Sequence, residues 1–490
     1  MSHATHPIVV CGGGFSGLSA AVTALEAGAD VTLIEKAPYL GGTTLLSGGT
    51  VWTFIDYDKV REEIPAGDAA LQWLVLENIA DGRAWLQSMG VTFEDIGQML
   101  ENGHGYVMDP AGTIGILGER FKALGGTLLM ETALHSLITT DGVVTGVRAL
   151  RDGKLTDLAA GAVVLATGGF QGNPELLGRY VLRDPDNLLL RANYWSTGDG
   201  FIAGTQAGAA ASPGLDTFYG HALAAPPARV TNTQFREAAQ YQGRLSVALN
   251  MAGERFADET ESTGEEVLNQ RLAQQPGGLG WYVMDNEIME HTPMQGRGAL
   301  IRVILERSKK IGAVVVEGDT LEAVCKGMAQ HGVPEVRALA TLKEFNAAME
   351  SGRADELKPG RRGNRRPLRS KPYRAIFVKA GITFTMGGLA VDERARVLWR
   401  SGTTTHYAPV PTERAYVDQS AGPTAMREGA STAIGHYYRQ MPVQGLYAAG
   451  NDAGNISHFA YMGGLASALT MGRNAGRNAA TLASVRKRVR

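Results

Sequence analysis

The sequence predicts an α/β chain: an open, mostly parallel sheet interrupted by an inserted α+β domain. Three observations carry this. An apolar run, Ile8-Val-Val-Cys11, passes through clustered glycines into the alanine- and leucine-rich stretch Leu18 to Ala27, then into a second apolar run, Asp30 to Glu35. Two later apolar runs, Ala162 to Ala166 and Gly445 to Ala449, also end in glycine or Thr-Gly-Gly. Between about Pro226 and Ser370 the glycine-rich turns thin out, and helical and strand patterns mix.

Each element follows from its residues. Ile8 to Cys11 is short, apolar and partly β-branched, as a strand buried on both faces requires. Leu18 to Ala27 is rich in strong helix formers, and Asp30 to Glu35 returns to strand composition, completing a βαβ unit. Strands that run into glycine gather their carboxyl ends around a ligand in an open α/β sheet. The division is therefore 1–225, an inserted capping region 226–370, and a return to the first domain over 371–490. The basic run Lys358 to Arg374, punctuated by Pro and Gly, reads as a solvated connector closing the insertion.

Composition narrows the function. Glycine is the outlier, 63 of 490 residues, against an average near 7%. The formal net charge of −2 argues against nucleic acid or an anionic membrane as partner. Two cysteines, Cys11 and Cys325, are too few for a disulfide scaffold, a four-cysteine metal site or an iron–sulfur cluster. No apolar run reaches the length of a membrane span and no signal peptide is evident, so the expected location is the cytoplasm.

The glycines place the first site. Gly12-x-Gly14-x-x-Gly17 lies between strand and helix, and Glu35 ends the second strand 18 residues after Gly17. Gly12 makes the tight turn, Gly14 admits a pyrophosphate to the backbone, Gly17 lets helix pack on sheet, and Glu35 accepts from a ribose hydroxyl. This is a dinucleotide site. Gly41-Gly-Thr-Thr-Leu-Leu-Ser-Gly-Gly49 adds backbone donors and hydroxyls where a plain NAD domain would begin another helix. With Thr167-Gly-Gly169 and Gly450-Asn451, it points to a longer cofactor, FAD, on a Rossmann-like FAD-binding domain.

In these segments, and in Thr197-Gly-Asp-Gly200, Gly253-Glu-Arg-Phe-Ala-Asp-Glu259, Pro372-Tyr373, Thr385-Met-Gly-Gly388 and Tyr461-Met-Gly-Gly-Leu465, the chain resembles the fumarate reductase/succinate dehydrogenase-type flavoproteins. That group includes 3-ketosteroid 1-dehydrogenases and tricarballylate dehydrogenases. The resemblance implies a two-part FAD domain with a capping insertion and an active site at their junction. It places FAD against Gly12, Gly14, Phe15, Ser16, Gly17, Glu35, Lys36, Gly42, Thr43, Thr44, Gly48, Gly49, Thr167, Gly168, Gly169, Asp199, Asn451, Gly464 and Leu465. Some relatives bind FAD covalently through a His in the second glycine loop. Thr43-Thr-Leu-Leu-Ser47 has none, so FAD is expected to be non-covalent.

The family reaction is hydride exchange between flavin and a carbon beside an electron-withdrawing group, with a proton moved at the neighbouring carbon. Fumarate reductases hold dicarboxylates with two Arg and a His, whose slots here fall at Thr263, Tyr461 and Phe384. The loss of charge points to a ketone or enone: a ketosteroid-dehydrogenase-like α,β-dehydrogenation or its reverse. There Tyr461 and the Gly464/Leu465 amides would polarise the carbonyl, with His221 or Tyr106 moving the proton and Tyr219, Phe384, Thr263 and Gly464 lining the substrate. The alternative is an enzyme acting on a carboxylic acid with cations placed elsewhere, Arg244 or Arg255. A flavin electron-transfer subunit is the remaining reading, and the cap argues against it. Electrons would come from or go to a separate molecule.

Overall fold

The computed structural model describes residues 7–231, 234–292, 299–400 and 441–488. The N-terminal unit is β1 (Ile8–Cys11), α1 (Phe15–Glu26) and β2 (Val31–Ile34). Every residue of β1 is fully buried, which is why the run is continuously apolar. The main sheet has six strands in the order Arg396–Leu398, Pro442–Ala448, Ala162–Leu165, β1, β2, Thr127–Leu129. All neighbours run parallel except the edge strand Arg396–Leu398. The three expected glycine-ended strands are thus adjacent, and their carboxyl ends open on one side.

A 25-residue helix, Gly464–Arg488, packs along α1. Small residues make this possible. A Cβ on Gly472 would stand 2.4 Å from the Ser16 carbonyl oxygen, and one on Gly476 would stand 2.2 Å from that of Ala20. Both partners are backbone, so side-chain movement cannot relieve the clash. Gly472→Val is expected to push the two helices apart and to lower stability by about 1–3 kcal/mol, despite better helix propensity than glycine. Urea unfolding of the FAD-loaded protein reads this, and an unchanged midpoint would refute the close packing.

The second sheet is antiparallel: Leu223–Ala224, Tyr373–Lys379, Leu279–Met284 and Val247–Asn250, with Val315–Gly318 also on Tyr373–Lys379. Trp281, Val324, Leu342 and Phe345 form a core beneath it with the helices Leu321–Ala329 and Glu335–Glu350. Two of its strands, Leu223–Ala224 and Tyr373–Lys379, lie outside the stretch 226–370.

The basic run is not simply a solvated connector. Arg361 is only 1% exposed and its guanidinium meets buried Glu259 at 2.9 Å. Arg366 pairs with buried Asp285, and Arg374 with Glu317 at 2.9 Å. Arg362 keeps the expected solvated character, with a side chain 74% exposed. Composition could not separate these arginines, because the distinction depends on which acids the fold brings to them.

Candidate functional site

A cavity of about 660 Å³ lies at the carboxyl ends of the parallel strands. One end is the glycine frame. Gly12 adopts φ +111°, and a Cβ there would meet the Ala166 carbonyl oxygen at 2.2 Å. Gly14 precedes α1, which has no side-chain cap and no acidic residue in its first turn. The first backbone acceptance at this end is Leu18 N–H to the Gly14 carbonyl, 2.9 Å. The amides before it are left for an anion, and the positive end of α1 adds to that preference. Ser16 Oγ is buried with no partner among the described residues. A Cβ on Gly14, Gly42 or Gly48 would meet nothing closer than 3.7 Å, so the cradle is open where a pyrophosphate and its sugars need room.

Glu35 lines the cavity, but each of its oxygens already accepts a backbone amide: Gly13 N–H at 2.6 Å and Ala37 N–H at 2.7 Å. Burial pushes its pKa up. It retains lone pairs for a ribose hydroxyl. Lys36 is tied to Asp199 at 2.8 Å and to Thr197 Oγ1 at 2.7 Å. Phe15, Thr43, Thr44, Gly168, Asn451 and Leu465 also line the cavity.

Of the residues expected against FAD or as proton carriers, four do not line it. Gly17 instead lets α1 approach Gly12, Gly49 packs on the Met108 carbonyl, and Gly169 packs on Thr385. Tyr106 lies on the strand Gly103–Val107, where Val107 takes the cavity side. Strand alternation sends Tyr106 the other way, under the Arg83 guanidinium at 3.5 Å. It is not placed to move a proton in this cavity. Thr167 is at the wall, but its hydroxyl donates to Asp452 at 2.9 Å and accepts Gly200 N–H at 2.9 Å. Asp452, which the sequence reading missed, is fully buried and pushed up to about 6 by that burial. It ties the two glycine-ended strands together.

The other end of the cavity is aromatic. The two-residue strands Phe218–Tyr219 and Phe384–Thr385 pair antiparallel, setting Tyr219 opposite Phe384 with ring centroids 5.0 Å apart. Tyr461 stacks on Tyr219 at 3.9 Å. Tyr461 Oη accepts the Gly464 N–H at 2.6 Å. That contact takes the Gly464 amide out of the expected carbonyl-polarising group of Tyr461 and the Gly464/Leu465 amides. The turn through Gly463, φ +96°, aims the Gly464 amide at the tyrosine rather than leaving both donors for a ketone. Thr263 also reaches the wall, its N–H and hydroxyl donating to Glu63.

Two cations reach the aromatic end. Arg191 follows the strand Leu189–Leu190, its N–H donating to the Ile382 carbonyl at 2.9 Å. It is 3% exposed, yet its Nε and Nη1 have no partner among the described residues. Its guanidinium lies 5.1 Å from the Phe235 ring centroid. Arg244 donates to the Thr263 carbonyl at 2.6 Å and pairs with Glu101 at 3.0 Å, leaving Nε buried and unpartnered. Arg191 escaped the sequence reading because its only local signal is a lone charge after Leu188-Leu-Leu190. Arg255 is not in the cavity; it serves a buried ion pair with Glu259 at 2.6 Å.

The family described as FAD binding domain matches residues 7–406. The chain belongs to the FAD binding domain family. It is an FAD-dependent oxidoreductase acting on CH–CH groups, related to fumarate reductase flavoproteins, and holds FAD non-covalently. A probable fumarate reductase of Shewanella frigidimarina is 26% identical over 97% of this chain and 75% of its own length. A urocanate reductase of Eggerthella lenta is 24% identical over 97% of this chain and 75% of its own. The structure of a 3-ketosteroid delta1-dehydrogenase from Sterolibacterium denitrificans has a TM-score of 0.71 at 19% identity, over 97% of this chain and 99% of that one, a likeness of fold. No helix among the described residues is long and apolar enough to cross a membrane.

Proposed function

We propose that this flavoenzyme reduces the carbon–carbon double bond of an α,β-unsaturated carboxylic acid, or runs the reverse dehydrogenation. The observation that carries the reading is Arg191: a buried guanidinium with unpartnered N–H groups in the wall of the cavity. A buried cation is costly unless paired, and a carboxylate matches the guanidinium fork. Arg244 supplies a second donor. The relatives named for fumarate and urocanate, both unsaturated acids, support the same class. The ketone reading is weakened, since one of its expected carbonyl donors, the Gly464 amide, is engaged by Tyr461. The stacked wall of Tyr219, Phe384 and Tyr461 favours a flat, conjugated acid.

When bound, FAD supplies the hydride exchange. The chain's residues hold the carboxylate, line the double bond with aromatic rings and exclude water. In this reading residues 1–225 and 371–490 carry FAD, residues 226–370 cap the substrate, and a separate molecule exchanges the electrons.

The test is anaerobic mixing of the photoreduced protein with a 3-aryl-acrylic acid, fumarate, and an enone lacking a carboxylate. The acids are expected to restore the oxidised flavin absorbance, the aryl acid fastest. Reoxidation by the enone alone would sink the reading.

A further inference from the structure

The aromatic end of the cavity contains a continuous chain of hydrogen-bonded groups. Tyr219 Oη meets His221 Nε2 at 2.9 Å, and His221 Nδ1 meets Glu265 Oε2 at 3.1 Å. Tyr282 Oη donates to the other Glu265 oxygen at 2.8 Å. His221, Glu265 and Tyr282 are 8%, 4% and 0% exposed. Tyr219, His221 and Glu265 line the cavity, while Tyr282 closes the chain from the second sheet. The geometry is specific: an imidazole has two nitrogens, and here each faces one oxygen. Thr263, at one of the slots where the resemblance expects an arginine, has its hydroxyl spent on Glu63.

We infer that Tyr219 is the proton donor to the substrate and that His221 and Glu265 resupply it. The inference rests on the double-bond reduction proposed above. The Tyr219 O–H bond breaks as a C–H bond forms at the carbon next to the one receiving hydride. The His221 Nε2 proton passes to the tyrosinate, and the Glu265 Oε2 proton passes to His221 Nδ1. No electrons move along the relay. One proton leaves Glu265, whose carboxylate keeps the Tyr282 hydrogen bond until solvent reprotonates it. Dehydrogenation runs the same transfers backward.

The electrostatics agree with this starting state. Burial holds the Glu265 carboxyl well above the usual carboxylate range. Burial, helped by Arg191, holds His221 well below the usual imidazole range, so it is neutral at pH 7 with one N–H and one lone pair. Burial and Tyr461 push Tyr219 up, which keeps its proton in place between turnovers. The ionisable groups facing the relay are Arg191, Tyr241, Tyr461, Glu266 and Tyr282. Glu266, raised by burial to about 7, is the rival donor in the same wall.

Two measurements test the relay. In the first, the photoreduced protein is mixed with the best acid from the assay above, in H₂O and in D₂O. Tyr219→Phe is expected to slow reoxidation by about 10²–10⁴-fold at unchanged acid affinity. His221→Gln and Glu265→Gln are expected to lower kcat with little change in KM, to raise the solvent isotope effect and to shift the pH profile. Full activity in Tyr219→Phe, or a loss of the proton step in Glu266→Gln alone, overturns the proposal. The second measurement needs no substrate: ¹⁵N-histidine NMR of the oxidised FAD-loaded protein, with His221→Gln assigning the signal. Wild type and Glu265→Gln, whose amide N–H replaces the carboxyl O–H at Nδ1 while its oxygen keeps the Tyr282 bond, are both expected to show a neutral His221 with Nε2–H. A proton on Nδ1 in wild type, alone or in a doubly protonated ring, overturns the relay even if no acid is turned over. Failure of every acid with the expected tautomer strikes only the function proposed above.

Discussion

Glu259→Ala is expected to destabilise the protein by about 3–5 kcal/mol, because it strands two buried guanidinium groups. Glu259 accepts from Arg255 Nε at 2.9 Å, Arg255 Nη2 at 2.6 Å and the Ala248 N–H at 3.0 Å, while Arg361 Nη1 lies 2.9 Å away. All three charged side chains are at most 4% exposed. Neither arginine can turn to solvent, since Arg255 also donates to the Pro359 carbonyl, and Arg361 to those of Ser246 and Arg244. The cost comes from the uncompensated charges left behind, so an apolar replacement of the whole triad would cost far less than removal of the acid alone. Arg362→Ala, one residue from Arg361 but with an exposed side chain, is the control, expected within about 0.5 kcal/mol of wild type. Urea titration of the FAD-loaded protein reads both. Because Arg361 holds the Arg244 carbonyl, Glu259→Ala is also expected to weaken acid binding at the cavity. Equal midpoints for Glu259→Ala and Arg362→Ala would contradict the buried triad.

The contrast between Arg361 and Arg362 shows what the sequence reveals and what it conceals. The βαβ start, the glycine-ended strands and the FAD cradle were readable because their demands are local. A tight turn at Gly12 or close packing at Gly17 leaves its mark within a few residues. The catalytic end was less readable because its groups meet from distant segments. His221 and Glu265 are 44 residues apart in sequence. Arg191 follows a two-residue strand with no periodic pattern to show which way it points. Tyr106 is hard to place for a related reason: a glycine-flanked tyrosine gives no strand parity until its partners are known. Matching fumarate reductase slots revealed that Thr263, Phe384 and Tyr461 carry no charge. It could not reveal that Arg191 brings a charge to the cavity from another strand.

That displaced charge makes Arg191→Met the sharpest test of the substrate class, because it predicts opposite signs for two measurements. In the free enzyme Arg191 is a buried cation with two unpartnered nitrogens, a state that burial penalises. Methionine fills similar space, keeps contact with Phe235 and removes the charge, so Arg191→Met should unfold at higher urea than wild type, gaining about 1–3 kcal/mol. Catalysis should move the other way. A substrate carboxylate seated against Arg191 would lose a buried charge-assisted partner, worth about 2–5 kcal/mol. That corresponds to a fall in kcat/KM of roughly 30- to 5,000-fold for the acid. An uncharged ester or amide of the same acid should lose little. Arg191→Lys should recover only part of the loss, since an ammonium cannot offer the planar fork. A stabilised variant with lost acid turnover fits a cation held for the substrate. A destabilised variant with normal turnover would mean that Arg191 supports the fold and that the carboxylate, if there is one, binds elsewhere.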